Sequence, residues 1–273
     1  MVPYAYRSII IMKWIIGLIT VLGLAILMTM TGRGGGNFYV PVLVACGAPM
    51  HEAAASGQFI LVATAAAAAI LFHKYRMVDW KLALVIDPPT DIMAFFGGYL
   101  SAYVGGMYLK LIMSGLLVVA GFCMLINVKD RSGPQPKRFG FWRRKFGNEV
   151  YTVNLWLGLP VTALTGLAAG AVGISGGSFK VPLMVLACGV PMRIAVGTSS
   201  VMVAVTAAMG LAGHAVQGHF NPHWALPMAA VAVVGGIIGS KFALKAKPGN
   251  LKVLFAVTTL AAAVFMAINA FLS

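Results

Sequence analysis

The sequence predicts an all-α, polytopic transmembrane protein. It is made of two homologous repeats, inverted with respect to each other, with about 8–10 membrane segments that include short broken helices. Three observations carry this. Sixty per cent of the 273 residues are hydrophobic and 10% are charged, more apolar surface than a water-soluble chain of this length buries. Several apolar runs are long enough to span a bilayer. A Gly/Pro-interrupted stretch also occurs twice. Gly32-Arg33-Gly34-Gly35-Gly36-Asn37-Phe38-Tyr39-Val40-Pro41 leads to Cys46-Gly47-Ala48-Pro49-Met50, and Gly173-Ile174-Ser175-Gly176-Gly177-Ser178-Phe179-Lys180-Val181-Pro182 leads to Cys188-Gly189-Val190-Pro191-Met192. Six of ten residues match at an offset of 141 in the first block, and four of five at an offset of 142 in the second. Interrupted hydrophobic segments at matching places in two halves point to a transporter's binding site.

Residues 8–31 form one apolar run. About 20 helical residues at about 1.5 Å each cover a hydrocarbon core of about 30 Å, so this run spans. Arg7 and Lys13 give it the look of a signal peptide, but it is long and no A-x-A site follows, so it reads as a retained first helix. Gly32–Gly36 is a loop. Residues 37–47 are apolar but reach only about 16 Å as a helix, half a membrane. Pro49 restarts the chain, and 52–73 is an Ala-rich helix ended by His73-Lys74-Tyr75-Arg76. Asp87-Pro88-Pro89-Thr90-Asp91 reads as a helix start, since proline is tolerated in the first turn. Two spans follow over 90–108 and 111–128, joined tightly near Lys110.

Residues 129–150 are a basic connector, after which the plan restarts. Residues 151–172 span, Gly173–Gly177 is the loop, 178–189 is the short segment, and 192–214, 222–244 and 250–272 span. Gly97-Gly98 corresponds to Gly235-Gly236. The chain therefore reads as one transporter domain over 1–273, with repeat 1 over 8–128, the connector over 129–150 and repeat 2 over 151–273.

The formal charge is +14, from 20 Lys and Arg against 6 Asp and Glu. In a soluble chain that would suggest nucleic acid; here seven of the bases crowd the connector, which speaks of membrane topology. If each short segment returns to the side it came from, each half crosses four times and 12 bases lie inside against 8 outside. If each short segment and its unwound flanks complete a crossing, each half crosses five times, the halves are inverted, and 16 bases lie inside against 4. The positive-inside rule selects the second scheme, in a multi-pass protein of the cytoplasmic (inner) membrane. Phe139, Phe141, Trp142 and Phe146 between the connector's charges suit an amphipathic stretch on the anionic leaflet.

Backbone between helices is tolerated at membrane depth where it is buried in protein or lines a wet cavity. The helix that follows each glycine loop would present free N–H groups and a positive dipole end, which favour an anion. Gly32, Gly35, Gly36, Gly176 and Gly177 are therefore candidate substrate-binding positions, with Asn37, Ser175 and Ser178 as helix caps or direct ligands. The plainer alternative is that these glycines only let helices approach closely. Arg33, Lys180 and Arg193 lie in or beside the motifs and would supply positive charge, unless they snorkel to the interface. Thr198, Ser199 and Ser200 open the next helix and could donate to an oxyanion. Glu52 reads as the one acid within the apolar body, and His51, Glu52 and His214 are candidates for carrying a coupling proton. His219 and His223 sit in a loop and carry little weight.

Nothing in the sequence calls for an enzyme, a cofactor or a metal. Ser175 lacks the second glycine of a nucleophile elbow, the glycine loops lack the Lys-Ser/Thr ending of a phosphate loop, and Cys46, Cys123 and Cys188 read as small buried residues. The implied partners are a small anionic substrate and the lipid bilayer, with no nucleic acid. The oligomeric state is left open, a homodimer being the option carried.

The two copies of Gly-x-x-Gly-Gly-x-Phe-x-Val-Pro, each followed by Gly-x-Pro-Met, resemble the TauE/SafE family of sulfite-exporter-like membrane proteins over residues 30–270. The motif positions here are Gly32, Gly35, Gly36, Pro41, Gly173, Gly176, Gly177 and Pro182. The resemblance implies transport of sulfite, an organosulfonate or another sulfur-containing organic anion. Alternating access coupled to protons is the expected mechanism. An uncoupled anion pore and a membrane-embedded enzyme or assembly factor stand behind it as alternatives.

Overall fold

The computed structural model describes residues 4–125, 139–174, 176–245 and 248–272. The first half comprises helices α1 (Tyr4–Thr29), α2 (Gly36–Cys46), α3 (Met50–Lys74), α4 (Trp80–Ile86), α5 (Pro88–Leu100) and α6 (Gly106–Leu125). A hairpin of β1 (Phe141–Phe146) and β2 (Glu149–Asn154) follows. The second half comprises α7 (Leu155–Val172), α8 (Gly177–Pro182, continued by a π-helical turn over Leu183–Ala187), α9 (Met192–Val216), α10 (Pro222–Ala243) and α11 (Pro248–Leu272). The fold is all-α apart from that hairpin. Among the described residues α3, α7, α9 and α10 are long and apolar enough to cross a membrane, and Trp14–Thr29, Gly106–Val119 and Thr259–Leu272 are shorter apolar helices. Ile16, Ile70, Leu84, Leu164, Leu226 and Phe271 are exposed, a lipid-facing belt around a core of small and branched side chains.

Glycine contacts fix how the helices run. Along α5 and α7, Gly166 abuts Thr90, Gly170 abuts Ala94 and Gly97 abuts Leu167 and Ala171, so the two are parallel. Along α1 and α10, Gly17 lies on Met228, Gly235 on Leu22 and Ala25, and Gly239 on Ile26, again parallel. α10 also runs with α3 (Asn221 on Glu52, Gly236 on Thr64), and α9 runs with α5 (Thr206 on Asp91, His214 on Ser101). α3 and α9 are antiparallel, since Gln58 meets Gly210 while Met77 meets Gly197. Thus α1, α3 and α10 point one way and α5, α7 and α9 the other. Many of these contacts place glycine Cα against a neighbouring carbonyl, where no Cβ fits; close backbone approach of this kind is how helices associate where lipid offers no hydrophobic drive.

Three sequence expectations are corrected. The span expected over 151–172 starts at Leu155, because 149–154 pair with 141–146 and Asn154 caps α7 by accepting from Leu157 N–H at 3.2 Å. The amphipathic stretch is this hairpin, with Trp142, Phe146, Tyr151 and Val153 packed inward; residues 126–138 of the connector lie outside the described residues. The turn placed near Lys110 is at Ser101–Gly105, and Lys110 lies buried within α6.

The hairpin is fastened to the end of the bundle where α4 and α9 begin and α3 and α10 finish. Its anchor is Asp79, the N-cap of α4. Arg144 donates to both carboxylate oxygens at 2.9 Å, Tyr151 donates to Oδ2 at 2.5 Å, and the Lys81 and Leu82 N–H groups donate to Oδ1. Asp79 N–H in turn donates to Thr198 Oγ1 at 2.9 Å. Burial alone would raise the Asp79 pKa, but the bonds from Arg144, Tyr151 and Leu82 outweigh it and hold the carboxyl below its ordinary range. A depressed carboxyl contributes stability that is present above the unfolded pKa and is lost as pH falls through the folded one. Asp79→Ala, which removes a cap and charge-assisted hydrogen bonds, is expected to lower stability by about 2–3 kcal/mol in detergent melting. The gap from wild type should hold from neutral into mild acid and close only below the usual carboxylate range.

Candidate functional site at the meeting of two interrupted helices

The two short helices begin inside the bundle and run to opposite ends. At the start of α2, Gly34 lies against Leu61, Ala65 and Val203 in the middle of α3 and α9, and further along Val40 lies against Gly57. α2 therefore runs back along α3. It is closed by Gly35 and Gly47, both in the left-handed region at φ 93° and 106°, and Gly47 N–H satisfies the carbonyls of Leu43 and Val44. At the start of α8, Gly176 lies near Thr206, and one turn on Lys180 reaches the Met202 carbonyl, so α8 runs back along α9. Where the starts meet, Ser178 Oγ donates to Asn37 Oδ1 at 2.9 Å, and both residues are buried. Asn37 and Ser178 are the same motif position, 141 residues apart. The glycines ahead of them pack reciprocally: a Cβ on Gly32 would lie 2.5 Å from the Val196 carbonyl oxygen, and one on Gly173 would lie 2.6 Å from Ala54 Cα.

The expected site residues divide. Arg33, Asn37, Ser178, Lys180, Thr198, Ser199 and Ser200 are all buried. Asn37 Nδ2 and Ser199 Oγ have no hydrogen-bond partner among the described residues. Thr198 is taken up by Asp79, and Ser200 donates to the Val196 carbonyl of its own helix. Arg193 is exposed at the hairpin end, donating to the Leu244 carbonyl beside a cavity of about 420 Å³ shared with Tyr75, Arg76 and Phe146. Ser175 lies outside the described residues.

Glu52 is not the one acid in the apolar body, because Asp87 and Asp91 are there too. α4 and α5 form a single path down α9, broken at Asp87-Pro88-Pro89, and the break turns both carboxyls inward. Lys180 Nζ donates to Asp87 Oδ1 and, at 2.6 Å, to Thr206 Oγ1. Its charge is thus engaged by a carboxylate. The signal in the sequence was Trp80–Ile86, about two mostly apolar helical turns ahead of the prolines, which marks Asp87 as mid-span.

At the opposite end His51, Glu52 and His214 do come together, along with His219. The His219 ring lies tilted against those of His51 and His214, with centroids 4.8 Å and 5.9 Å away, and Asn221 Nδ2 donates to Glu52 at 2.7 Å. His214 is bonded to Ser101 Oγ and to the Gly170 carbonyl. Burial, then repulsion from His51, lowers the His219 pKa against the pull of Glu52. Among the described residues no group of three His, Cys, Asp or Glu side chains is placed to hold a metal.

A polytopic helical bundle with two interrupted helices meeting at its centre defines a membrane transporter. The family profile described as "Sulfite exporter TauE/SafE" matches residues 16–266, and the chain belongs to that family. It is 24% identical over 225 residues to "Probable membrane transporter protein YunE" of Bacillus subtilis (strain 168), covering 78% of this chain and 82% of the relative. It is 21% identical to "Probable membrane transporter protein YdhB" of the same strain, covering 80% and 86%. A "Probable membrane transporter protein" of Xylella fastidiosa (strain Temecula1 / ATCC 700964) is 24% identical, covering 86% and 87%. No solved structure matches. The chain is an integral membrane transporter and not an enzyme.

The motif glycines should respond unequally to a methyl group. Gly32→Ala and Gly173→Ala combine a positive φ with collision on backbone, and should each cost more than about 2 kcal/mol in detergent melting. Gly176 has an ordinary φ of −58°, and a Cβ there would meet side chains rather than backbone, Lys180 Cε at 3.4 Å and Lys180 Nζ and Thr206 Cγ2 at 3.7 Å, so Gly176→Ala should cost clearly less than either.

Proposed function

We propose that the chain is a single transporter domain of the cytoplasmic membrane that carries a small sulfur-containing anion, sulfite or an organosulfonate, by alternating access coupled to protons. Residues 8–128 and 151–273 act as inverted repeats about the connector 129–150, supported by the opposite directions of matching helices: α1 and α7, α3 and α9, α10 and α5. The observation that carries the anion reading is the convergence of α2 and α8 on Asn37 and Ser178, with Arg33 buried in the loop beside them. Two helix starts offer backbone N–H groups and partial positive charge, and Asn37 Nδ2 and Ser199 Oγ offer further hydrogen-bond capacity. Rocking of one half against the other would open this centre to each side in turn. Arg76, Arg143, Arg144, Lys145, Arg193, Lys241 and Lys245 gather at the hairpin end, which supports a cytoplasmic hairpin.

The test is thermal stabilisation of purified protein in detergent by sulfite, sulfate, thiosulfate, sulfoacetate, taurine, lactate and phosphate. A ligand at 100 times its dissociation constant adds about 2.7 kcal/mol to the folded state. Sulfite or a sulfonate should raise the melting temperature, and Arg33→Ala should abolish the rise. Folded protein that responds to none of these anions overturns the reading.

A further inference from the structure

Two carboxyls and one ammonium share the middle of the bundle. Thr206 is the fifteenth of the 25 residues of α9, so the cluster around it lies near half height. Lys180 is fully buried and Asp87 is 5% exposed. Lys180 Nζ donates to Asp87 Oδ1, to Thr206 Oγ1 at 2.6 Å and to the Met202 carbonyl at 3.4 Å. Thr206 Oγ1 lies 2.6 Å from Asp91 Oδ1 and 3.5 Å from Asp87 Oδ1. With every group ionised the cluster carries one net negative charge, and an uncompensated charge at membrane depth is costly. A proton on one carboxyl removes it. Asp87 is held by the ammonium, whereas Asp91 is bonded through the Thr206 hydroxyl and is half-buried, so a proton reaches it more readily.

We propose that Asp87, Lys180, Thr206 and Asp91 form a proton-binding site in which Asp91 takes and releases the proton. With Asp91 ionised, Thr206 accepts from Lys180 and donates its own hydrogen to Asp91. With Asp91 protonated, the new carboxyl O–H donates to Thr206 Oγ1 and the threonine hydrogen turns to Asp87. One O–H bond forms, one proton comes from water, and the net charge of the cluster rises from −1 to zero. The ammonium already lies against Asp87 and Thr206, so a metal cation entering there would be repelled. The other charged or titratable groups on elements packed around the cluster are Lys81 on α4, Tyr108, Lys110 and Cys123 on α6, Tyr99 at the far end of α5, and Arg193 and His214 at the two ends of α9; α7 has none. The link to transport rests on the proposed function: Lys180 is two residues beyond Ser178 on α8, so a change in its bonding pulls on the helix start that meets Asn37.

The test is infrared difference spectroscopy of the purified full-length protein in detergent, stepped in pH in light and heavy water. A protonated carboxyl in apolar surroundings gives its own C=O band. One such titrating band is expected, lost in Asp91→Asn, restored at a shifted position by Asp91→Glu, and kept in Glu52→Gln. Should Asp91→Asn fail to fold, Thr206→Val serves in its place and should displace the band's midpoint by about one pH unit, the worth of one charge-assisted hydrogen bond. A band unchanged in Asp91→Asn or Thr206→Val, or no titrating band at all, overturns the site, as does a band that follows sodium rather than pH. Because no anion is present, this outcome is independent of the anion reading. In proteoliposomes loaded with sulfite, an alkaline-to-acid gradient should drive net sulfite movement in wild type and lose that drive in Asp91→Asn. Sulfite movement indifferent to the gradient overturns coupling at this site, while a normal band without sulfite movement overturns only the anion reading.

Discussion

A helix that stops inside a bilayer leaves backbone groups that lipid cannot satisfy, and this chain stops two of them there. The rest of the structure follows from that constraint. The starts of α2 and α8 must be enclosed by protein, so they meet each other across the Ser178–Asn37 hydrogen bond. Enclosing them requires α3 and α9 to pass close on either side. That in turn requires glycine at 32 and 173, where the chain turns with positive φ against the backbone of the facing helix. The Gly-x-Pro segments then return the chain to the surface so that α3 and α9 can begin. Each motif residue thus has a place in one mechanical task, and the polar groups left at the centre are the ones a substrate would meet.

The same logic explains the ionic cluster. Prolines 88 and 89 interrupt the path of α4 and α5, and the interruption brings Asp87 against Lys180. A buried pair of this kind is weak evidence for stability, since desolvation offsets most of the attraction. Its value is conditional bonding: Thr206 can serve either carboxyl but has one hydrogen to give. α8 carries both Ser178 and Lys180, so one short helix touches the proposed anion site and the proposed proton site. Its last turn is π-wound over Leu183–Ala187, a geometry that often marks functional adjustment in a helix.

Much of this was legible in the sequence because duplication and hydropathy are local signals. The fold class, the two glycine loops, the short helices and the starts of α3 and α9 can all be read from spacing. Asp87 and Asp91 were hidden because a proline pair after an aspartate looks the same at a membrane surface and at a mid-span break; only the neighbouring element decides. Lys180 invited an anion-binding reading because its partner lies 93 residues earlier in the chain. Arg193 follows Gly-x-Pro-Met in the motif yet points to the hairpin end, since α9 begins there. The hairpin was missed because Phe141-Trp142-Arg143-Arg144-Lys145-Phe146 groups its aromatic and basic residues without the strict alternation that marks a strand, so it fits an amphipathic helix as well. Packing of Tyr151 and Val153 against α4 and α8 selects the strand.

The claim on which the transport account rests is that water and anions reach the place where α2 and α8 begin, although Asn37 and Ser178 are buried in this conformation. The most direct measurement is thiol accessibility in membranes. Single cysteines are introduced as Asn37→Cys, Ser178→Cys and, as an exposed control, Arg193→Cys, with Cys46, Cys123 and Cys188 replaced by serine or alanine. A small charged methanethiosulfonate reagent should label positions 37 and 178, and sulfoacetate, which does not react with the reagent as sulfite would, should slow that labelling without affecting position 193. Labelling at 193 alone, in protein shown to be folded, would mean that the two helices meet in a dry packing contact, and would contradict a central anion site.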